Sequence, residues 1–351
     1  MLLYIHIPFC DSLCHYCAFN SYTHLHHLQD RYMEAIVKQF DKEIERFELE
    51  RKSIESIFIG GGTPSTIAPK LYKPLFEKIS PYIKKDIEIT TEANPNSATK
   101  KWLEGMRELG VNRVSFGVQS FDEKKLEFLN RSHSKEMAIK AVEDAKSVGF
   151  SHISIDLIYA TALDTKELLK NDLDTAFLLP IDHLSAYALT LEEGTKFFTM
   201  PNVKKDDEEF ANWIKDEIIK RGFNQYEVSN FGEYESYHNK GYWRYLPYIG
   251  IGAGAVGFLK NRRFYPSKDI EDYIDDPFYR DIEKLCFEDI KREKILLGLR
   301  STIGFKSSIL NEKEREKAEF LVKERKLKKD NERYYSNDLF LADEITLYII
   351  L

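Results

Sequence analysis

The chain has 351 residues, of which 43% are hydrophobic and 31% charged, and its formal net charge is −7. This length allows a large core and more than one domain, and the composition is that of an ordinary globular protein. The negative charge argues against a general role in binding nucleic acid, because phosphate contacts need a basic surface. No apolar run reaches the roughly 20 residues needed to cross a bilayer, and the first strand begins too close to Met1 for a signal peptide. We therefore expect a cytoplasmic protein that is not transmembrane.

Short apolar runs alternate with amphipathic runs along the chain. The predicted strands cover 4–7, 56–59, 87–91, 113–118, 152–159 and 183–189, and the predicted helices cover 28–48, 70–79, 98–109, 122–129, 134–148, 165–178 and 206–221. Gly110, Gly149 and Gly222 each stand between a helix and a strand, which fits the left-handed position that ends a helix. Six strands that alternate with helices predict an α/β fold with a parallel sheet and right-handed crossovers.

A polar or glycine-rich feature accompanies the end of each of the first five strands. A cysteine-rich loop follows the first strand, and "GGGTP" (60–64) follows the second. Glu92, Gln119 and Asp156 lie at or near the ends of the next three strands. In βα barrels the active face is built from these strand ends. We therefore expect a partial (β/α)6 barrel around one site, rather than an open doubly wound sheet.

The last third of the chain has a different character. Residues 190–260 are irregular and rich in Tyr, Gly and Asn, and we expect them to cover or extend the sheet. From about residue 285 the pattern is one of charged helices, with a run over 311–330 that predicts a solvated helical face, and the chain ends in a β-like "ITLYII". We expect a small α/β, winged-helix-like domain there, and a division into 1–220, 221–284 and 285–351.

Three of the four cysteines, Cys10, Cys14 and Cys17, lie within eight residues in the spacing C-x3-C-x2-C. Four cysteines in a chain of this length do not form a disulfide framework. Structural zinc needs four ligands, so a nearby histidine would have to supply the fourth, namely His15, His24, His26 or His27. A [4Fe–4S] cluster held by three thiolates keeps one iron open. That iron can bind the amino and carboxylate groups of S-adenosylmethionine (SAM).

Four motifs taken together resemble the radical SAM superfamily: the cysteine triplet after the first strand, "GGGTP", "TEANP" and "SFGVQS". Within it, "YIHIPFC…CHYCAFN" resembles the branch that contains oxygen-independent coproporphyrinogen III oxidases and the HemW heme chaperones of porphyrin metabolism. The resemblance covers most of residues 2–260, and "EKILLGLR" resembles the C-terminal domain of that branch. It implies a partial barrel, a [4Fe–4S] cluster on the three cysteines, and bound SAM.

The resemblance also implies a set of residues that contact SAM. Gly61, Gly62 and Thr63 are expected at its amino group and Glu92 at its ribose. The remaining contacts, to one SAM or to a second, are expected from Tyr4, Tyr16, Gln119, Arg131 and Asp156. Without the resemblance, "GGGTP" would be a tight turn, Glu92 a surface carboxylate and the tyrosines core residues. Asp156 stands in an apolar strand, where a buried carboxylate needs partners.

The segment "HNKGYW" (238–243) resembles a motif of the HemW chaperones, and it implies His238 as a heme ligand with aromatic side chains against the porphyrin. The alternative is a surface or packed histidine. The glycine-rich "GIGAGAVGF" (250–258) either lets backbone approach the adenosyl group or is a packed strand of small residues.

Two functions from different classes remain after the resemblance. One is a heme carrier that delivers heme to apoproteins such as membrane-bound respiratory cytochromes, from the cytoplasm or at the surface of the inner membrane. The other is an oxidase that decarboxylates coproporphyrinogen III; a zinc-stabilised binding module is a distant third. The oxidase pattern has a fourth cysteine two places after the third, where this chain has Phe19, and a long segment before the first strand. Both differences, with "HNKGYW", favour the carrier.

One loop departs from the pattern of the whole branch. After the fifth strand the branch commonly reads Tyr-Gly-Leu-Pro-Gly-Gln, whereas this chain reads "YATALD" (159–164). The loss of Gly and Pro changes a turn close to the expected pocket. Contacts from this loop, including contacts to a second SAM, are therefore in doubt.

Overall fold

In the computed structural model, which describes residues 1–205 and 208–351, six parallel strands form the centre of the molecule. They are β1 (Leu2–Ile7), β2 (Ile54–Gly61), β3 (Ile83–Ala93), β4 (Arg113–Gln119), β5 (His152–Tyr159) and β6 (His183–Ala188). They lie side by side in sequence order, each parallel to the next. Right-handed crossovers that step in one direction place their helices on one face of the sheet. The other face is left to line a site, which confirms the predicted partial barrel.

Seven helices of the described chain connect or follow these strands. They are α1 (Gln29–Arg46), α2 (Pro69–Ile79), α3 (Lys100–Glu108), α4 (Glu123–Phe128), α5 (Lys135–Ser147), α6 (Lys166–Ala176) and α7 (Glu208–Lys220). The predicted helix over 206–221 is confirmed from residue 208, and its first two residues lie outside the described residues. Gly110, Gly149 and Gly222 have φ of +93°, +88° and +103°, which confirms the three predicted helix stops. Within the described chain, no helix combines the length and the apolar character that crossing a bilayer requires.

Side chains alternate along the central strands between an apolar face and a polar face. Residues such as Ile5, Ile57 and Ile155 are fully buried and belong to the main hydrophobic core, together with residues of the covering helices. The intervening positions carry mostly polar side chains: Tyr4, His6, Ser56, Glu88, Glu92, Arg113, Ser115, Asp156 and Ser185. The core therefore lies between sheet and helices, and the barrel interior is polar.

The irregular part of the chain extends the sheet at both edges, as predicted. Next to β6 lie β8 (Asn230–Gly232) and then β7 (Asn224–Gln225). On the far side of β1 lie β9 (Tyr248–Ile251), β10 (Gly257–Leu259), β11 (Arg262–Tyr265) and β12 (Asp281–Lys284). Two short helices, α8 (Tyr237–Trp243) and α9 (Ile270–Asp275), belong to this part. In α8, a Cβ at Gly241 would lie 2.6 Å from the Leu2 side chain, so glycine permits α8 to approach β1 closely.

The C-terminal residues form a small α/β region with a hydrophobic core of its own. Its elements are α10 (Phe287–Leu299), β13 (Phe305–Lys306), α11 (Glu312–Lys323), β14 (Leu327–Asp330), β15 (Arg333–Ser336) and α12 (Ala342–Ile350). The strands form an antiparallel sheet in the order β13-β15-β14. Ile295, Phe305, Tyr334 and Ile345 are among the core residues. The small α/β region is thereby confirmed, while the division into 1–220, 221–284 and 285–351 stays a prediction.

Two predictions for the C-terminal region are wrong. The "ITLYII" tail is not β-like, because it forms the second half of α12. A short, mostly apolar run of six residues does not distinguish strand from helix. In the fold Ile345 and Ile349, four residues apart, are buried, while Leu347 is exposed. The charged run 311–330 is helical only as far as Lys323, and its end forms β14.

The loop "YATALD" after β5 closes on a buried ion pair. Ala160 adopts a left-handed φ of +62°, the kind of conformation for which a glycine is usually selected. Asp164 accepts a hydrogen bond from the Thr161 backbone N–H at 2.7 Å and lies 2.6 Å from the Lys125 ammonium, with both side chains fully buried. Lys125 also donates to the Ile158 carbonyl at 2.6 Å. The ion pair thus ties this loop to α4.

We expect Asp164→Ala to lower the free energy of unfolding by up to about 3–5 kcal/mol, because it leaves the buried Lys125 ammonium with only the Asp172 carboxylate, 3.8 Å away, as its counter-charge. The measurement is urea unfolding followed by circular dichroism. The matched control is Asp144→Ala, which removes a helix-surface pair with Lys140 and should cost less than about 0.5 kcal/mol. Equal losses in the two variants would contradict the role assigned to the buried pair.

Candidate functional site

The three clustered cysteines lie on one compact loop, residues 8–25, at the carboxyl end of β1. The Cys10 backbone N–H donates to the Tyr22 carbonyl at 3.0 Å, and the Tyr22 N–H donates to the Pro8 carbonyl at 2.7 Å, so the loop closes on itself. In a second turn the Cys17 N–H donates a hydrogen bond to the Cys14 carbonyl at 3.2 Å. All three thiols are free, with Cys10 buried and the other two half-buried. The local sequence therefore brings three thiols to one place.

The "GGGTP" segment lies directly against the cysteine loop. Gly62 N–H donates to the Ile7 carbonyl and Thr63 N–H to the Phe9 carbonyl, both at 2.7 Å. The Thr63 hydroxyl is hydrogen-bonded to Cys10 Sγ at 3.3 Å. A Cβ at Gly62 would lie 2.9 Å from two carbonyl oxygens and 3.1 Å from Cys10 Sγ. Glycine is required at this position because no side chain fits between the two loops.

Arg131 joins the cysteine loop to the ends of three strands. Its Nη1 donates to Cys14 Sγ at 3.2 Å, and its Nη2 donates to Asn94 Oδ1 at 2.7 Å and to the Gly117 carbonyl at 2.6 Å. Asn94 in turn donates to the Thr63 hydroxyl at 3.2 Å. Asn94 was not among the residues expected from the sequence. Its position in "TEANP", two residues after Glu92 at the end of a strand, was the signal that could have identified it.

The electrostatic environment of the thiols is that of a closely packed group. Burial raises the pKa of Cys17 to about 11; the Phe19 backbone N–H opposes this, and the neighbouring Cys14 and Cys10 add to it. Burial also raises the pKa of Cys10, and the hydrogen bond with the Thr63 hydroxyl partly opposes this rise. Metal ligation requires thiolates, and the Arg131 guanidinium is a cation that lies beside them. Three free thiols on one loop are a donor set suited to a cluster with one open iron.

Two carboxylates lie on the polar inner face beyond the cysteine loop. Glu92 Oε2 accepts a hydrogen bond from the Gly61 N–H at 3.0 Å. Burial, followed by the charge of Asp156, raises the pKa of Glu92 to about 7. Asp156 accepts from the Ser115 hydroxyl at 3.2 Å; burial raises its pKa, and the hydroxyls of Ser185 and Ser115 oppose this. Asp156 thus has the partners that a carboxylate in an apolar strand needs.

The two predicted tyrosines lie on different sides of the cysteine loop. Tyr4 Oη is hydrogen-bonded to His6 Nδ1 at 2.9 Å, and His6 Nε2 to the Asn20 carbonyl at 2.9 Å. Asn20 Nδ2 donates to the Ala253 carbonyl in the glycine-rich segment at 3.2 Å. Tyr16 packs against a small cluster around Phe197 and interacts with Arg131. Tyr4 thus connects β1 to the cysteine loop through His6, and Tyr16 connects the loop to the region around α4.

Gln119 ends β4 in a strained conformation, with φ of +69°. The register between β4 and β5 shifts between Gly117 and Gln119, and a Cβ at Gly117 would lie 2.9 Å from Gln119 Nε2. The Gln119 amide therefore folds over Gly117, next to the carbonyl that accepts from Arg131. Of the residues predicted to contact SAM, the structure places Gly61, Gly62, Thr63, Glu92, Gln119, Arg131 and Asp156 at the carboxyl-end face with the cysteines, and Tyr4 and Tyr16 beside it.

The histidines near the cysteines hold the loop in place. His15 Nδ1 is bonded to the Phe128 carbonyl at 3.0 Å and its Nε2 to Lys196 Nζ at 3.0 Å. His26 Nε2 is bonded to the Cys10 carbonyl at 3.0 Å and its Nδ1 to Gln29 at 3.1 Å. Both nitrogens of each ring are engaged, so either histidine would have to give up a hydrogen bond to ligate zinc.

His238 lies away from this face, inside the barrel and towards the start of the strands. Its side chain is fully buried, with Nδ1 bonded to the Ser56 hydroxyl at 2.8 Å and Nε2 to the Tyr242 hydroxyl at 3.0 Å. Its backbone N–H donates to Glu88 at 3.0 Å. Burial lowers the pKa of His238 to about 3, so the ring is neutral. Neither ring nitrogen is free in this conformation, and the assignment of His238 as heme ligand stays a prediction.

Comparison with known proteins agrees with this geometry. A family model of the radical SAM superfamily matches residues 4–174. The chain is 33% identical over 327 residues to the heme chaperone HemW of Bacillus subtilis. The matched region covers 88% of this chain and 86% of that protein. It is 35% identical over 325 residues to the heme chaperone HemW of Lactococcus lactis, with 88% and 83% covered. The chain belongs to the HemW family of radical SAM proteins. The family resemblance of the motifs is thereby confirmed.

A solved structure shares the fold of this HemW-family chain. The radical SAM enzyme coproporphyrinogen III oxidase (HemN) from Escherichia coli has a TM-score of 0.83 and covers 99% of this chain and 89% of its own. At 20% sequence identity, this likeness shows the fold alone. Membership in the radical SAM superfamily implies SAM and a [4Fe–4S] cluster as the cofactors of the HemW-family chain.

Glu92 makes the stability of the cluster-free protein depend on pH. The pKa of this carboxyl group is about 7 in the folded state and 4.5 when unperturbed. Its contribution to folding stability is therefore fully present below pH 4.5 and is lost as the pH rises through 7. We therefore expect Glu92→Gln to match the wild type at pH 4.5 and to exceed its free energy of unfolding by about 1–3 kcal/mol at pH 8. Urea unfolding at both pH values measures this.

The matched control is Glu104→Gln, at an exposed position on α3, which should change stability equally at the two pH values. A Glu92→Gln difference that does not vary with pH would contradict the raised pKa.

Proposed function

We propose that this chain binds heme and delivers it to apoproteins such as respiratory cytochromes, and that it carries a SAM-binding [4Fe–4S] cluster. The observation that carries the proposal is the match of relatives named heme chaperone HemW over 88% of the chain. A second observation points away from the oxidase. The place of the fourth cysteine in the oxidase pattern is taken by Phe19, which is 72% exposed and offers no ligand.

In this proposal Cys10, Cys14 and Cys17 hold the cluster as thiolates, and Arg131 balances part of their charge. The support is the common loop, the Arg131 hydrogen bond to Cys14 and the close backbone approach at Gly62. When bound, the cluster supplies an electron to SAM and an open iron to hold it.

The same proposal assigns SAM to the inner face beside the cluster. Its amino group lies near the loop of Gly61, Gly62 and Thr63, and its ribose near Glu92. The pocket wall consists of Tyr4, Tyr16, Gln119, Arg131 and Asp156. Support comes from the hydrogen-bond network that connects these residues to the cysteine loop through Arg131 and Asn94. His238 belongs to the proposed heme segment, where ligation of iron requires it to leave Ser56 or Tyr242.

The recipients determine where the proposed carrier acts. Respiratory cytochromes are membrane-bound, so the proposal locates the chain in the cytoplasm, with peripheral contact at the inner membrane during delivery. Residues 285–351 have their own core, which supports the proposal that they form a separate domain.

The cluster assignment predicts about four iron and four sulfide per chain after anaerobic reconstitution. We expect Cys14→Ser to lose the thiolate-to-iron absorption of the cluster and most of the iron. Cys286→Ser is the matched control, because this exposed thiol lies outside the cysteine loop, and it should keep both. Zinc in place of iron in the purified protein, or full iron content in Cys14→Ser, would rule the assignment out.

The carrier function predicts that the reconstituted protein binds hemin and transfers it to an apocytochrome, measured by the shift of the Soret band in the recipient. We expect no protoporphyrinogen from coproporphyrinogen III with SAM and a low-potential reductant. The control reaction uses the reconstituted oxidase from Escherichia coli under the same conditions. Formation of protoporphyrinogen would establish the oxidase instead, and failure to bind hemin would remove the carrier.

A further inference from the structure

Two carboxylates face the barrel interior without a cation in contact with them. Glu92 on β3 and Asp156 on β5 project from the inner face of the sheet, and both are half-buried. The Gly61 N–H donates to Glu92 at 3.0 Å. The hydroxyls of Ser115 and Ser185 are hydrogen-bond partners of Asp156. Among the residues that the structure describes, neither carboxylate forms an ion pair with a lysine or an arginine, so this carboxylate pair has no direct counter-charge.

Two arginines act on the carboxylate pair from a distance. Arg113 on β4 is buried, and its Nη1 donates to the hydroxyl of Thr90, two residues before Glu92 on β3, at 3.4 Å. Arg131 is engaged by Cys14 and by two oxygens at the strand ends. Burial raises the pKa of both carboxylates, and the arginine charges oppose this rise only in part. The interior therefore lacks one positive charge beside the pair.

Neighbouring titratable groups keep a fixed charge near neutral pH. Burial raises the pKa of the phenols of Tyr4 on β1 and Tyr187 on β6 well above the usual value, so both are neutral. Burial lowers the pKa of His183, which is neutral as well. Burial would raise the pKa of Glu88, but the charge of Arg113 and several hydrogen bonds hold it below its usual value. Proton exchange near pH 7 is thus left to the carboxylate pair.

The two carboxyl groups influence each other. Burial, followed by the charge of Asp156, raises the pKa of Glu92 to about 7. Two like charges in a site that is poor in water disfavour ionisation of both groups, and coupled groups of this kind titrate as a pair. At pH 7 the carboxylate pair therefore holds about half a proton on average.

We propose that Glu92 and Asp156 together recognise the positive charge of SAM and release their shared proton to solvent when SAM binds. SAM carries a sulfonium cation, which is the positive charge that this interior lacks. The step moves one proton from a carboxyl group to water, and it involves no covalent bond and no change in oxidation state. The carboxylate pair thereby favours SAM over S-adenosylhomocysteine, whose thioether is neutral. The inference rests on the proposed place of SAM beside the cluster and adds a means by which that place selects a cation.

The test is isothermal titration calorimetry of the reconstituted protein with SAM at pH 7, in two buffers that differ in ionisation enthalpy. We expect the wild type to release up to about half a proton more than Glu92→Gln, which has no carboxyl proton to lose. The signal is this difference, because the amino group of SAM itself titrates near pH 8. The difference should be smaller with S-adenosylhomocysteine. An equal difference with the two ligands would overturn the recognition of charge.

The pH dependence of binding is a second readout. Ionisation of the carboxylate pair favours SAM, so the apparent Kd of the wild type should fall between pH 6 and pH 8 by about five- to tenfold more than that of Glu92→Gln. Asp156→Asn removes the charge that adds to the pKa of Glu92, and it should reduce this extra pH dependence. The matched control is Glu104→Gln at an exposed position, which should behave as the wild type does.

The outcomes separate the inference from the proposal on which it rests. If SAM binds to the wild type and to Glu92→Gln with equal proton release and equal pH dependence, the inference is overturned while SAM binding stands. If the reconstituted wild type, with its iron and sulfide in place, does not bind SAM at any of these pH values, the proposed place of SAM fails and the inference fails with it.

Discussion

The structure depends on one constraint, the alternation of apolar and polar side chains along six parallel strands. The outward residues form the core with the helices, so the inward residues are left to enclose a polar interior. Polar groups that are shielded from water must find partners. At the carboxyl ends these partners come from the loops that carry the cysteines and glycines. At the other end α8 supplies them, because Glu88 accepts hydrogen bonds from the backbone of Tyr237 and His238 and from the hydroxyls of Tyr234 and Ser236.

The two ends of the barrel therefore have different tasks. At the carboxyl end, one guanidinium connects the structure: Arg131 reaches a thiol, a strand carbonyl and Asn94, and Asn94 reaches Thr63. This cation lies where three thiolates have to be stabilised, which is the electrostatic condition for a cluster held by three cysteines. At the opposite end, the need to satisfy Glu88 and Ser56 draws His238 inward and turns the neighbouring aromatic residues towards α10. The same segment that holds His238 inward thus presents Tyr242, Tyr245 and Tyr248 to a cavity that α10 borders.

The sequence predicted well those features that depend on neighbours in the chain. The strand over 152–159 has the predicted bounds, and the three glycine stops have left-handed backbones. The order of glycine and polar features at strand ends was sufficient to predict the partial barrel, because parallel strands bring those ends together. Predictions failed where a short apolar or charged run allowed two structures, as in the tail over 345–350, whose helix is selected by packing of Ile345 and Ile349 on the C-terminal core. Asn94 was missed because a single amide residue does not indicate a binding site in the sequence until its hydrogen-bond partners are known.

By itself the sequence determined that three thiols share one loop, that glycines stand where backbones approach closely, and that strands and helices alternate. These properties follow from spacing and from local conformational preference. Only the tertiary structure decided that Glu92 is buried near a second carboxylate, which raises its pKa to about 7, that both nitrogens of His238 are engaged, and that Tyr248 and Arg263 share a cavity with α10. Each of these involves residues far apart in the chain, and burial and charge act through space, so no local pattern contains them.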